Sequence, residues 1–290
     1  MAVGGSGGEV RLGPAVERVL LAVEPAGALD DAELELSVEP GAWLPVLGRR
    51  PAAQTTKHRV DVDQLVLAGP VDRVRARGRG LASVWLGAAG PPPALGRADA
   101  LGEIRLGVPF LTQRSLPPAA AGRACCPTAL AMALGFHGVH RPLAEAAEAV
   151  WDPRHGLYGS WLRAAAVATA AGRPAVVRQA RSWDAVAGWL RELGPVIASV
   201  AYGEGGLPGA VMPRTDGHLV VVTGLDGRGG VLVHDPAGPA GAGLTLDGRA
   251  LGRAWASHGA VAVVVGPRTG QEPRPRGRGA SGCVAHPGAS

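Results

Sequence analysis

Two adjacent cysteines stand immediately before a proline-started apolar run in GRACCPTALAMALGFHG. The residues from Pro127 to Phe136 are rich in Ala, Leu and Met, which favour helix. A proline has no N–H to lose in a first helical turn, so Pro127 marks the start. Cys125 and Cys126 then fall at a helix N-terminus, where unpaired backbone N–H groups and the positive dipole end favour a thiolate. The thiolate is the nucleophilic form, so the chemistry on offer is covalent attack on a carbonyl. A small inert thiol packed in a core is the ordinary fate of a free cysteine. The Pro-started helix weighs against it here. Spacing alone leaves open which of the two cysteines would attack.

Such a nucleophile needs a proton acceptor, and DGHLVVVTGLDGRGGVLVHDPAG contains one. Two apolar strands flank Asp226 and Gly227, a dipeptide suited to a type I′ hairpin turn. A two-residue turn there sets His218 directly opposite Asp235, with Cβ atoms about 4.5–5.5 Å apart. A four-residue turn leaves the pair diagonal and still near. The carboxylate would hold the imidazole in one tautomer and stabilise its charged form. The competing readings are a surface histidine at a strand start and a turn-forming Asp before Pro236. Among rivals, His234 points away from Asp235 by strand alternation. Asp216 lies on the loop before the strand, and His137 sits about a helix length from Cys125. His140, His155 and His258 have no acid at comparable hairpin spacing. Upstream, VPFLTQ ends at Gln113, whose amide could donate to an oxyanion together with the backbone N–H at Cys125. Taken alone, a glutamine after a short strand is weak evidence.

The elements that must position these groups follow from periodicity. Helical patterns are expected at 126–137, 143–150, 160–171 and 183–192, with a last one over 247–256. Apolar strands are expected at 174–178, 195–201, 218–225, 230–234 and 260–265. Helices followed by a run of strands predict an α+β unit over residues 103–267. Residues 16–90 read differently: RVLLAVE, AELELSVE, HRVDVDQLVL, VDRVRARG and LASVWLG are short strands of a β-rich, sandwich-like accessory domain. Arg73, Arg75, Arg77 and Arg79 would share one solvated strand face. His58 is expected on the surface. Residues 1–15 are expected to be a flexible N-terminus, 91–102 a Pro-rich linker, and 268–290 a disordered Arg/Pro/Gly tail.

Composition narrows the function. With 290 residues and a 47% hydrophobic fraction the chain can build a packed core. Its net charge of +5 comes from scattered arginines, with Lys57 the single lysine, so nucleic acid is not an expected partner. Cys125, Cys126 and Cys283 form no disulfide framework. No CxxC or HxxxH spacing points to a metal, and no cofactor is expected. The N-terminus lacks an apolar signal core. No stretch reaches the roughly 18–20 apolar residues of a membrane span. The expectation is a cytoplasmic protein, with secretion open only if the start site is misassigned.

Taken in order, Gln113, Cys-x-Pro-Thr opening a helix, Gly-His on an apolar strand and Asp-Pro after the next strand resemble papain-like cysteine peptidase family 39. The likeness covers residues 103–267 and extends to VWDPRHGLYGSW and PVIASVAYGEGGLPGA. By that resemblance Cys125 is the nucleophile, His218 the base, Asp235 the orienting acid and Gln113 the oxyanion glutamine. The position between Cys and Pro is often Gly or Ser in the family and is Cys126 here. The Gln113-to-Cys125 spacing is also longer than in compact members. Transporter-fused relatives process double-glycine leaders, but this chain has neither a membrane span nor a GxxxxGK[ST] loop, so that role does not carry over. The resemblance implies a cysteine peptidase or amide hydrolase acting on a peptide or protein substrate through an acyl-enzyme. A peptide-binding module on the same fold and an acyltransferase with the same triad are the alternatives.

Overall fold

The run RVLLAVEP is apolar at every position from 19 to 23, too many for a strand with one wet face. In the computed structural model, which describes residues 2–4, 8–13, 15–39, 41–48, 58–239 and 243–268, it forms β3 (Arg18–Pro25). Its alternate residues serve two cores. Val19, Leu21 and Val23 enter a β-sandwich, while Leu20 and Ala22 enter the core beneath a second, helix-covered sheet.

The sandwich consists of two antiparallel sheets. One runs in the order β1 (Ala2–Gly4), β9 (Leu81–Ala89), β3, β7 (Gln64–Val66), β6 (Arg59–Asp61). The other runs β2 (Gly8–Arg11), β8 (Arg73–Arg79), β4 (Glu33–Glu39), β5 (Ala42–Leu47). Leu34, Leu36, Leu44 and Val74 meet Leu21, Val84 and Leu86 between them. Two strands therefore lie within the first fifteen residues, a stretch expected to be loose. Backbone ladder bonds from β2 to β8 and from β1 to β9 recruit it, and these need little from its side chains. The arginines of β8 point outward. Arg73, Arg77 and Arg79 pair with Glu9, Glu35 and Glu33 at 3.0, 2.7 and 2.7 Å, exposed contacts that add little stability. His58 is buried rather than on the surface. Its Nδ1 accepts the Ala68 N–H at 3.3 Å, and its Nε2 lies 3.4 Å from Glu39, partners that a local pattern does not reveal.

Residues 91–102, expected as a linker, contain no helix or strand, yet Leu95 and Ala98 are buried in a third core, on the other face of the helix-covered sheet. Beyond them come α1 (Pro118–Ala121), α2 (Cys125–Phe136), α3 (Leu143–Val150), α4 (Trp161–Ala170), α5 (Trp183–Glu192) and α6 (Gly248–Ala256). The antiparallel sheet has the order β11 (Ala175–Gln179), β16 (Val261–Val265), β12 (Val196–Tyr202), β13 (Thr215–Asp226), β14 (Gly230–His234), β15 (Gly243–Asp247), with β10 (Glu103–Arg105) paired to β13. α5 and α6 cover one face and α2 and α4 the other. On β13, Val220 and Val222 face the first pair, and Leu219 and Val221 the second. This is the α+β class expected from the helix and strand patterns. Residues 269–290, with Cys283 and Arg274, Arg276 and Arg278, lie outside the described residues.

One glycine fixes how β10 meets β13. A Cβ at Gly224 would overlap the carbonyl of Ile104, and the backbone there is already bulged between Val222 and Gly224. Gly224→Ala is expected to lower stability by about 1–3 kcal/mol, as overpacked sites do. Chemical denaturation checks this: an unchanged midpoint would mean that β10 moves away at no cost.

Candidate active site

The cysteines occupy the first turn of α2, as the Pro-started run predicts. Ala124 precedes the helix and offers no side-chain cap, so the first N–H groups are left to other acceptors. From Cys126 to Leu134 every residue is buried, so the helix is anchored on all sides beneath the sheet. The two thiols differ sharply. Cys126 is 1% exposed and belongs to the core, whereas Cys125 is half-buried at the rim. His218 and the backbone N–H groups of Leu219 and Cys126 lie close enough to the Cys125 thiol to lower its pKa.

β13 carries His218 to that thiol, and Asp235 follows β14. The hairpin is not the two-residue turn expected. Val221 pairs with His234 and Val222 with Val233, and after the bulge Leu225 pairs with Val231. Asp226 does not sit in a tight turn. Its carboxylate accepts the N–H groups of Arg228 (2.7 Å) and Gly230 (2.8 Å), which stabilises a longer loop. His218 and Asp235 are therefore diagonal rather than opposed, the register of the longer turn. They meet nonetheless: His218 Nε2 lies 2.7 Å from Asp235 Oδ1, with both side chains buried. With Nε2 engaged, Nδ1 is the ring atom left for Cys125. Asp235 Oδ1 also accepts the Ala237 N–H at 2.8 Å, which fixes the carboxylate in an Asp-Pro turn.

Gln113 begins a short 3-10 turn, Gln113–Ser115, that grips the loop after Asp235. Its own N–H donates to the Pro236 carbonyl (2.9 Å), the Thr112 hydroxyl to Gly238 (2.6 Å), and Arg114 Nε to Ala237 (2.8 Å). Thr112 and Arg114 were not singled out from the sequence. Only their position beside Gln113 signals them, because their partners lie more than 120 residues away. The Gln113 side chain is 6% exposed. Its Nε2 donates to the Ala121 carbonyl at 2.7 Å, and its Oε1 is buried without a partner. The long spacing to Cys125 is spanned by α1, which presents that carbonyl.

The electrostatics separate the two thiols further. Burial pushes the Cys125 thiol up, but the hydrogen bond and charge of His218, with the two backbone N–H groups, outweigh it and leave the pKa below its ordinary value. Burial, then the charges of Cys125 and Asp63, push Cys126 well up, so it stays protonated. For His218, burial favours the neutral ring, yet the bonds to Asp235 and Cys125 prevail and raise it to about 10. The Cys125 and His218 shifts both run in the direction that favours a thiolate beside an imidazolium. Tyr202 stays a neutral phenol, pushed to about 12 by burial and then by the Asp235 charge.

The other histidines have different partners. His137 bonds the Val265 carbonyl (3.0 Å), and His258 the Ser199 hydroxyl (2.7 Å). His155, with no acid expected at hairpin spacing, pairs with Asp152 at 2.8 Å within a loop. His234 packs edge-on against Phe110 with its Nδ1 buried and unpartnered. Among the described residues, no group of three or more His, Cys, Asp or Glu could hold a metal ion, and no helix is long and apolar enough to cross a membrane.

Comparison with known proteins follows the same region. Residues 105–263 match the model of the Peptidase_C39 like family. Among solved structures, one similar chain is a double-glycine-motif protease from an AMS/PCAT transporter in complex with the leader peptide. It is 18% identical, with 57% of this chain and 97% of that chain covered and a TM-score of 0.40. A chain described as a C39-like peptidase from Bacillus anthracis is 17% identical, with 57% and 98% covered and a TM-score of 0.43. The peptidase domain of Streptococcus ComA, a bi-functional ABC transporter, is 19% identical, with 50% and 93% covered and a TM-score of 0.37. No curated protein matches.

Proposed function

Because the chain belongs to the Peptidase_C39 like family, we propose that it is a cysteine peptidase or closely related amide hydrolase working through Cys125, His218 and Asp235. The buried His218–Asp235 hydrogen bond, with the Cys125 thiol beside the same ring, supports this reading most. The Cys125 thiolate attacks the carbonyl carbon of a peptide or other amide. The oxyanion is received by the Cys125 N–H and by the Gln113 Nε2 hydrogen not bonded to Ala121, the latter donor worth typically about 2.7–4 kcal/mol in the transition state. Imidazolium His218 gives its proton to the leaving nitrogen as the C–N bond breaks, leaving a thioester at Cys125. Neutral His218 then takes a proton from water, hydroxide attacks the thioester, and the thiolate–imidazolium pair is restored. Asp235 holds the ring throughout without taking the proton itself. The β-sandwich, with β1 and β2 added to the strands expected over residues 16–90, is an accessory unit beside this one.

Alkylation of the intact protein by iodoacetamide, with adducts mapped by mass spectrometry, tests the activated thiol. Cys125 is expected to react with an inflection below the free-thiol pKa of about 8.5, while Cys126 stays unmodified. Turnover is expected to rise through the Cys125 pKa and fall as His218 deprotonates near 10. A Cys125 no faster than free cysteine at neutral pH would overturn the reading.

A further inference from the structure

We propose that the N-terminal sheets clamp the nucleophile helix in place, with the Asp63 carboxylate as the positioning group. The inference rests on Cys125 being the nucleophile and adds a role for the N-terminal sandwich, which carries none of the reacting groups. It begins at a strained turn. Between β6 and β7, Val62 has a φ of +55°, a left-handed conformation in which a β-branched side chain crowds its own backbone. Such a residue persists only where its surroundings over-determine it.

What the turn delivers is Asp63, 7% exposed, to the start of α4. Its Oδ2 accepts the Ser160 hydroxyl (2.9 Å) and the Leu162 N–H (2.9 Å), and the Trp161 N–H bonds the same carboxylate. α4 already has its own cap, since the Ser160 Oγ accepts the Arg163 N–H at 3.2 Å. Leu162 and Ala166 already pack into the sandwich core. The Ser160 cap satisfies only the Arg163 N–H, so Asp63 takes two of the other unpaired first-turn donors, and adhesion of the two units does not itself need a buried carboxylate. Directional bonds to Ser160 and Leu162 do what apolar packing cannot: they fix where the first turn of α4 sits. Two further ties hold the same corner. Arg163, its side chain 7% exposed, pairs with Asp30 at 2.7 Å, and Arg154 donates to the carbonyls of Pro45 (3.0 Å) and Val46 (2.8 Å).

Ser160 passes the constraint on. The residue that gives its hydroxyl to Asp63 places its carbonyl oxygen 3.9 Å from Cys126 Sγ. Cys126 is covalently next to Cys125, so the start of α4 forms the floor on which the first turn of α2 rests. The groups that face Asp63 are the Ser160 hydroxyl, the N–H groups of Trp161 and Leu162, the Asp152 carboxylate and the Cys126 thiol. Burial pushes Asp63 up to about 6, against the pull of Leu162, Ser160 and Trp161 and with a small addition from Asp152. The carboxylate is charged at neutral pH and becomes neutral in mild acid.

The test compares the full-length protein with Asp63→Asn and Ser160→Ala, each shown to be folded by its circular dichroism and unfolding midpoint. Native alkylation of both cysteines is followed from pH 5 to 9. In Asp63→Asn, Cys126 is expected to react roughly tenfold faster or more, the scale of local opening on loss of a charge-assisted hydrogen bond. The Cys125 inflection is expected to move to higher pH. The wild-type Cys125 profile should carry a step near pH 6 that the variant lacks. Ser160→Ala, which keeps the Leu162 contact, should move both readouts the same way by less, and it decides the matter if Asp63→Asn does not fold. Unchanged Cys126 protection and an unchanged Cys125 profile in a folded variant would overturn the clamp. If wild-type Cys125 proves unreactive, the catalytic reading fails by itself, and Cys126 protection alone decides the clamp.

Discussion

Cys125→Ala is expected to abolish hydrolysis, lowering kcat/KM by roughly 10⁴-fold or more, while Cys126→Ala loses no more than about tenfold. The asymmetry follows from the environments of two thiols joined by one peptide bond. His218 and two backbone N–H groups lower the Cys125 pKa against the effect of burial, and this lowering favours its thiolate. Cys126 is buried, and nearby negative charges keep it a thiol. A protonated thiol is a poor nucleophile, and one buried in a core has no path to a substrate. Turnover of a peptide substrate, with mass detection of the acyl adduct, checks this. Equal losses in the two variants would mean that the second cysteine takes part in the chemistry.

Asp235→Asn is expected to lower kcat by roughly 10²–10⁴-fold while leaving the fold in place, since the amide oxygen can still accept from His218 Nε2. What is lost is the charge that favours imidazolium. The His218 pKa then falls from about 10, and the Cys125 pKa, no longer held down by a full positive charge, rises. The alkylation profile of Cys125 should shift to higher pH by an amount that reports the lost coupling. The sign for stability follows from the same shift. Folded His218 has a pKa above its ordinary 6.5, so its contribution is fully present below 6.5 and disappears as pH rises through about 10. The stability gap between wild type and Asp235→Asn should therefore be widest in mild acid and close toward pH 10. A gap independent of pH would show that Asp235 acts by packing and hydrogen bonding alone.

The sequence by itself determined the elements whose apolar periodicity and end signals lie within a few neighbouring residues. α3 and α5 fall at 143–150 and 183–192, where their apolar spacing places them, and β14 falls at 230–234. A proline three residues into α2 and a histidine at the head of an apolar strand were enough to point to the Cys125–Cys126 pair and to His218, while the choice of Cys125 came from the family resemblance. Tertiary structure decided the rest. Hairpin register depended on whether Asp226 sat in the turn or capped a longer loop, two outcomes that the Asp-Gly dipeptide permits equally. Which cysteine meets the imidazole depended on how a helix buried on nearly every side is rotated against β13, and its all-round apolar composition leaves that rotation unspecified. Nothing in the sequence marks Asp63, because its partners, Ser160 and Leu162, are nearly 100 positions away. Side-chain bonds over such distances leave no periodic trace in the chain, and they form only once the sandwich and the helix-covered sheet share the two faces of β3.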